Sequence, residues 1–253
     1  MVICALALHE AAHVFAVNYL GGKVEKIGVF PLGLRARFTG LEKLCPWERY
    51  VVYSAGSLAN LVAAGWMFSV SQLSYFGVPW LNGFAFYNMV LCIFNLTPVL
   101  PLDGGRIAHQ FLSNRMGMRP ANRVMVRLGQ ALGMGLAGLG VLQVMLYNYN
   151  VTLLGAGAYI MWKNRTMAPF LEMDFFKILA AKQALDKGRP MLVKQVHMPA
   201  QTPITDAMDY LMMDYMTVFF INEKGCEIPE KMLVAHVFAN GRQGTMIDLI
   251  STF

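Results

Sequence analysis

From Val2 to Leu20 the chain is almost entirely apolar, and what interrupts it, besides Asn18, is His9, Glu10 and His13. Further apolar stretches follow at Tyr50 to Ser71, Asn82 to Val99, Leu128 to Tyr147 and Val151 to Trp162. Runs of this kind are too long for the core of a small globular domain, whereas a helix needs about 20 apolar residues to cross a bilayer. The last stretch is short by that measure. Of the 253 residues 14% are charged, against about 25% in soluble domains. The expected class is a polytopic α-helical membrane protein with about five to six transmembrane helices. A chain of this length has room for one small extramembrane domain besides, so any catalysis must sit among the helices.

The charges between the stretches alternate. Lys23, Lys26, Arg35, Arg37, Lys43 and Arg49 follow the first span, and Arg106, Arg115, Arg119, Arg123 and Arg127 follow the third. The Lys/Arg bias places those loops in the cytoplasm. Gln72 to Leu81 and Asn148 to Asn150 carry no charge and fall outside, and Lys163 and Arg165 return the chain to the cytoplasm. This placement accounts for the formal charge of +6, and no nucleic-acid partner is expected. The first segment lacks the basic start of a signal peptide, and a late start at Met1 fits it better. Cys4, Cys45, Cys92 and Cys226 have no CxxC spacing and read as packing residues.

Ionisable side chains inside a span are costly, and the usual return on that cost is a functional site. His9 and His13 lie four apart, so on a helix both imidazoles share a face and can bind one zinc, with Glu10 within reach of the metal-bound water. The third stretch ends in Asn95-Leu-Thr-Pro-Val-Leu-Pro-Leu-Asp-Gly-Gly-Arg106. Pro98, Pro101, Gly104 and Gly105 must break the helix there, and broken backbone at membrane depth is tolerated only where protein or water covers it. Asp103 at this break has two readings: a third zinc ligand, or the N-cap of the helix that follows.

The HExxH span and the Asn-x-x-Pro-x-x-x-Leu-Asp-Gly segment together resemble the site-2 protease family of intramembrane zinc metalloproteases, over residues 1 to about 165. The resemblance implies Zn2+ as cofactor, His9, His13 and Asp103 as its ligands, Glu10 as the catalytic acid/base, and Asn95 as a residue that hydrogen-bonds the substrate backbone. Ser54-Ala-Gly-Ser-Leu-Ala-Asn60 is similar to that family's Ala-Gly-Pro-x-x-Asn element, with Ser57 in the proline position. Gly56 and Asn60 are read as a close helix contact and an interhelical hydrogen bond at least as readily as catalytic groups. Members of this layout often carry a span ahead of HExxH, which would make the count six.

Within Ile27 to Thr39, Leu34, Ala36 and Phe38 alternate with Arg35, Arg37 and Thr39, a period of two that reads as a strand. It could hold an extended substrate by strand addition or lie at the interface as an amphipathic hairpin. His109 reads as an interfacial helix residue, and His197 and His236 show no ligand spacing. After about Arg165 the chain turns soluble in character: a linker helix at 166–190, broken by Gly188-Arg189-Pro190, then a module at 191–253. Its helix start at Pro203 to Ala207, strand at Thr217 to Ile221 and turn at Asn222 to Gly225 resemble a single CBS motif, a small α+β cytoplasmic domain. Where nucleotide-binding CBS motifs carry ribose-binding Thr and Asp this chain has Pro229 to His236, so nucleotide sensing and substrate docking both stand, and a lone motif implies pairing of two chains.

Short loops and a CBS-like module look like the sporulation branch of the family, which processes pro-sigma-K. That resemblance implies a membrane-associated pro-sigma factor as substrate, inhibitory membrane proteins as further partners, and a multi-pass location in the lipid bilayer. The alternative is a catalytically silent membrane regulator of the same fold, but it would lose part of the zinc site, and all four residues are present. A zinc transporter would need polar ligands along its path, yet the spans from Tyr50 to Trp162 hold no Asp, Glu, Lys, Arg or His.

Overall fold

The computed structural model describes residues 1–30, 33–41, 44–73, 79–146, 151–185 and 191–251. The chain divides into two compact units, Met1–Ala108 and His109–Phe253. The break at Gly188-Arg189-Pro190 and the uncharged Asn148 to Asn150 lie outside the described residues.

In the first unit α1 (Val2–Tyr19) leads into a hairpin of β1 (Lys23–Phe30) and β2 (Gly33–Thr39), then α2 (Pro46–Leu73), α3 (Pro79–Asn95) and the start of α4 (Asp103–Met116). The alternating residues Leu34 to Thr39 thus lie in β2, which pairs antiparallel with β1, Ile27 opposite Ala36 and Val29 opposite Leu34. Each strand keeps an outer edge with no partner strand among the described residues. Helix α2 starts at Pro46, which suits a first helical position because its missing N–H has no intrahelical partner to lose. Glu48 Oε2 accepts the Cys45 N–H at 2.7 Å, half of a capping box. Ala16, Val17, Leu44, Val52 and Tyr53 form the buried core, with Val24, Phe38 and Ile107 against it.

Among the described residues three helices are long and apolar enough to cross a membrane: α1, α2 and α5 (Met118–Leu146). Helix α3 has 17 residues, about 26 Å at 1.5 Å per residue. Large apolar side chains point outward from these helices, Phe15 at 72% exposure and Trp66 at 65%. Such surface is unusual on a soluble monomer, and it supports an integral membrane protein. Of the four cysteines only Cys92 is fully buried, and Cys4 is exposed on α1. The packing role expected of Cys4 does not hold, because α1 turns that side away from its buried residues Ala5, His9, His13, Ala16 and Val17.

The second unit takes in the rest of α4, then α5, α6 (Thr152–Leu185), β3 (Val193–Met198), α7 (Ile204–Ala207), β4 (Met216–Ile221), β5 (Cys226–Pro229), α8 (Glu230–Asn240) and α9 (Met246–Ser251). Helix α6 runs unbroken past residue 165 with Pro169 inside it. Small residues let α5 and α6 touch: a side chain on Gly157 would stand 2.5 Å from the Ala137 nitrogen. Strand β4 is central, parallel to β3 and antiparallel to β5. The core joins Met118, Phe175 and Leu179 to Met208, Leu211, Phe219, Ile221 and Leu233.

A buried ion pair ties α6 to this sheet. Lys182 Nζ donates to Glu230 Oε1 at 2.7 Å and to the carbonyls of Met212 and Tyr215, while Glu230 Oε2 also accepts the Thr217 N–H at 2.9 Å. Lys182 is 4% exposed and Glu230 2%. Burial pushes the Lys182 ammonium below its ordinary value, and Glu230 opposes that push. Removing one partner strands a charge, whereas removing both strands neither. Glu230→Gln is expected to cost about 3–5 kcal/mol in unfolding free energy. The Lys182→Met/Glu230→Leu double change should cost much less, as measured by thermal unfolding in detergent. Equal losses would refute the stranded-charge account.

Candidate metal centre

The HExxH spacing does in α1 what helical geometry requires. His9 and His13, one turn apart, are 3% and 4% exposed, and their Nε2 atoms approach to 3.2 Å. Asp103 Oδ2 meets them from the start of α4, at 3.1 Å from His9 Nε2 and 3.0 Å from His13 Nε2. Ligand atoms about 2.0–2.1 Å from one tetrahedral zinc would lie about 3.3 Å apart. These three atoms are therefore spaced for a single small ion.

Helix α2 supplies the floor of the site. Val52, Gly56 and Asn60 recur every four residues and so form one stripe. At one end the Val52 carbonyl accepts a hydrogen bond from His13 Nδ1 at 2.8 Å, and at the other the side-chain amide of Asn60 lies against His9, its Nδ2 3.3 Å from His9 Nδ1. Gly56 lies between them. A Cβ there would stand 2.7 Å from His9 Cε1 and from His9 Nε2, and would overlap His13 Nε2. The space at the converging nitrogens exists because residue 56 has no side chain, and the donor set fits a metal such as zinc.

The broken segment after α3 delivers the carboxylate. Leu96 N–H bonds back to Cys92, Leu102 N–H bonds to the Val99 carbonyl, and α4 begins at Asp103. Gly104 and Gly105 then press onto the backbone of Leu96 and of Val99 and Leu100, so closely that a Cβ on either would overlap it. The Gly-Gly pair thus seats the first turn of α4 against the break. Asp103, read from sequence as ligand or cap, opens α4 and has its carboxylate at both imidazoles.

Glu10 is half-buried on α1 beside His9. Asn95, half-buried as the last residue of α3, donates from Nδ2 to the Leu91 carbonyl at 3.0 Å. His109 is no plain interfacial residue: its Nε2 lies 2.5 Å from Asn122 Oδ1, and burial pushes the imidazole below its ordinary value against that hydrogen bond. It falls in the second unit, tied to α5 rather than to the metal ligands. His197 is exposed and lies against Phe220, and His236 pairs with Asn240. Sequence reasoning missed the Val52 carbonyl and the Phe38 ring, 6.4 Å from that of His13. A main-chain carbonyl has no sequence signal. Phe38 had one in the alternation of β2, without an indication of which face meets the site.

Residues 77–137 match the family model of Peptidase family M50. A zinc metalloprotease of Methanocaldococcus jannaschii is 24% identical over 84% of this chain and 60% of its own length. Stage IV sporulation protein FB of Bacillus subtilis is 25% identical over 46% of this chain and 41% of its own. The chain thus spans less than two thirds of these curated relatives. Among solved structures, a site-2 protease from Methanocaldococcus jannaschii superposes with a TM-score of 0.54 at 25% identity, covering 66% of this chain and 75% of that one. The family model, the curated relatives and the solved structure all support the M50, or site-2 protease, family for this chain.

Proposed function

We propose that the chain is an intramembrane zinc endopeptidase that hydrolyses a peptide bond of a membrane-associated regulatory protein near the cytoplasmic face. The observation that carries this reading is the convergence of His9 Nε2, His13 Nε2 and Asp103 Oδ2 within 3.2 Å of one another, buried among apolar helices. These three residues hold the zinc. When bound, zinc supplies a Lewis acid for the scissile carbonyl and lowers the pKa of water. Glu10 takes the proton of the attacking water and passes it to the leaving amine. Asn95 hydrogen-bonds the substrate backbone, and a free edge of the hairpin holds the unwound substrate as an added strand.

The finer assignment is a sporulation-type protease acting on a pro-sigma factor. It draws on the relative named as a stage IV sporulation protein and on the β-α-β-β-α order of the C-terminal module, which is that of a CBS motif. In this reading the helices make five to six crossings, the module faces the cytoplasm, inhibitory membrane proteins restrain the enzyme, and two chains pair through their modules.

The test is co-expression of the full chain with a membrane-tethered pro-sigma-K-like substrate, followed by immunoblot. The shortened product should appear with the unaltered chain and vanish with Asp103→Ala. Intact substrate with both proteins in the membrane would sink the sporulation assignment. Product that persists with Asp103→Ala would remove Asp103 from the ligand set.

A further inference from the structure

His13 and His9 are held differently. A carbonyl oxygen can only accept, so the Val52 carbonyl 2.8 Å from His13 Nδ1 fixes the proton on Nδ1 and leaves the Nε2 lone pair facing the metal position. At His9 the neighbour is an amide, which can present either a donor or an acceptor. Asn60 is completely buried, its Nδ2 lies 3.3 Å from His9 Nδ1, and its Oδ1 has no hydrogen-bond partner among the described residues. With Nδ2 donating, Nδ1 of His9 must be bare and its proton sits on Nε2, which cannot then ligate a metal. Turning the amide over brings Oδ1 to the same place. It then accepts from Nδ1–H and releases the Nε2 lone pair. Either orientation leaves one amide atom without a partner, so among the described contacts it is His9 that selects between them.

We propose that Asn60 is a positioning residue that sets the tautomer of His9, its side-chain oxygen accepting the Nδ1 proton when the site is loaded. The inference rests on the zinc reading given above. Val52 and Asn60, eight residues apart on one stripe of α2, then do the same work for the two imidazoles, one through a main-chain oxygen and one through a side-chain oxygen. Partners of this kind orient metal-bound histidines and raise their basicity, and their loss typically weakens metal binding about 10–100-fold.

The experiment measures zinc affinity of the full-length protein in detergent by competition with a chromogenic chelator, without reference to proteolysis. Asn60→Leu keeps the approximate size and removes the acceptor, so affinity should fall about 10–100-fold. Asn60→Asp restores an oxygen at the same place and should bind zinc at least as tightly as the unaltered chain, with 15N chemical shifts of His9 placing the proton on Nδ1. Asn60→Ala repeats the loss in a side chain that overpacks nothing, should Asn60→Leu fail to fold. Undiminished affinity in Asn60→Leu or Asn60→Ala, or an Asn60→Asp loss as deep as theirs, would overturn the role of Asn60. Absence of zinc binding by the unaltered chain would overturn the zinc reading itself, and the Asn60 role with it.

Discussion

Alanine at position 56 is expected to leave the protein without its metal. The added methyl would stand 2.7 Å from His9 Nε2 and overlap His13 Nε2, so the imidazoles can converge only if α1 and α2 separate. Separation in turn breaks the hydrogen bond from His13 Nδ1 to the Val52 carbonyl, 2.8 Å long and buried, and opens the core that Ala16 and Val17 share with Val52 and Tyr53. Overpacking of a filled interior costs about 1–3 kcal/mol, so the variant should still reach the membrane. Metal analysis of the purified protein should find close to no zinc in Gly56→Ala against one ion per unaltered chain. Gly65, on the same helix with open space around it, provides the control: Gly65→Ala should retain the metal. Full occupancy in Gly56→Ala would mean that the ion sits elsewhere than between His9, His13 and Asp103.

The second large effect separates chemistry from binding. Glu10→Gln keeps the shape and removes the base, so cleavage should fall about 10²–10⁴-fold while the zinc content stays at that of the unaltered chain. The rate is read from timed immunoblots of a membrane-tethered substrate and the metal from the same preparations. Loss of zinc along with activity would make Glu10 a ligand, and unchanged cleavage would remove it from the reaction.

The histidine pair of the candidate metal centre could be read without coordinates, because its spacing obeys a short-range rule. His9 and His13 announce themselves by a helical spacing, whereas the backbone break that prolines and glycines force left Asp103 as ligand or cap, and only the family resemblance implied the ligand. What closes the site was less legible. Val52 contributes a carbonyl, and every residue type has one. Gly56 and Asn60 could be matched to a motif, but the motif alone does not say that their stripe runs antiparallel to the histidines, with residue 52 against 13 and residue 60 against 9.

Helix boundaries diverged for a related reason: hydropathy marks where lipid contact ends, and hydrogen bonding marks where the helix ends. Tyr50 begins the apolar stretch, yet α2 starts at Pro46 under the Glu48 cap. Lys163 and Arg165 end the last apolar stretch, yet α6 continues to Leu185. The pairing of Lys182 with Glu230 spans 48 positions, a separation at which local pattern carries no information.

Because α6 contributes Phe175 and Leu179 to the interior beneath the three-stranded sheet, the C-terminal module does not end where its first strand begins. A recombinant fragment cut at residue 191 would expose Met208, Leu211, Leu233 and Val237, the side chains gathered around Leu179. It would also leave Glu230 buried without the ammonium it faces. Anyone dissecting this protein for soluble work should therefore place the cut upstream of Phe175 and treat the last turns of the helix as the module's own scaffold. The end of α6 is, in folding terms, part of the module that follows it.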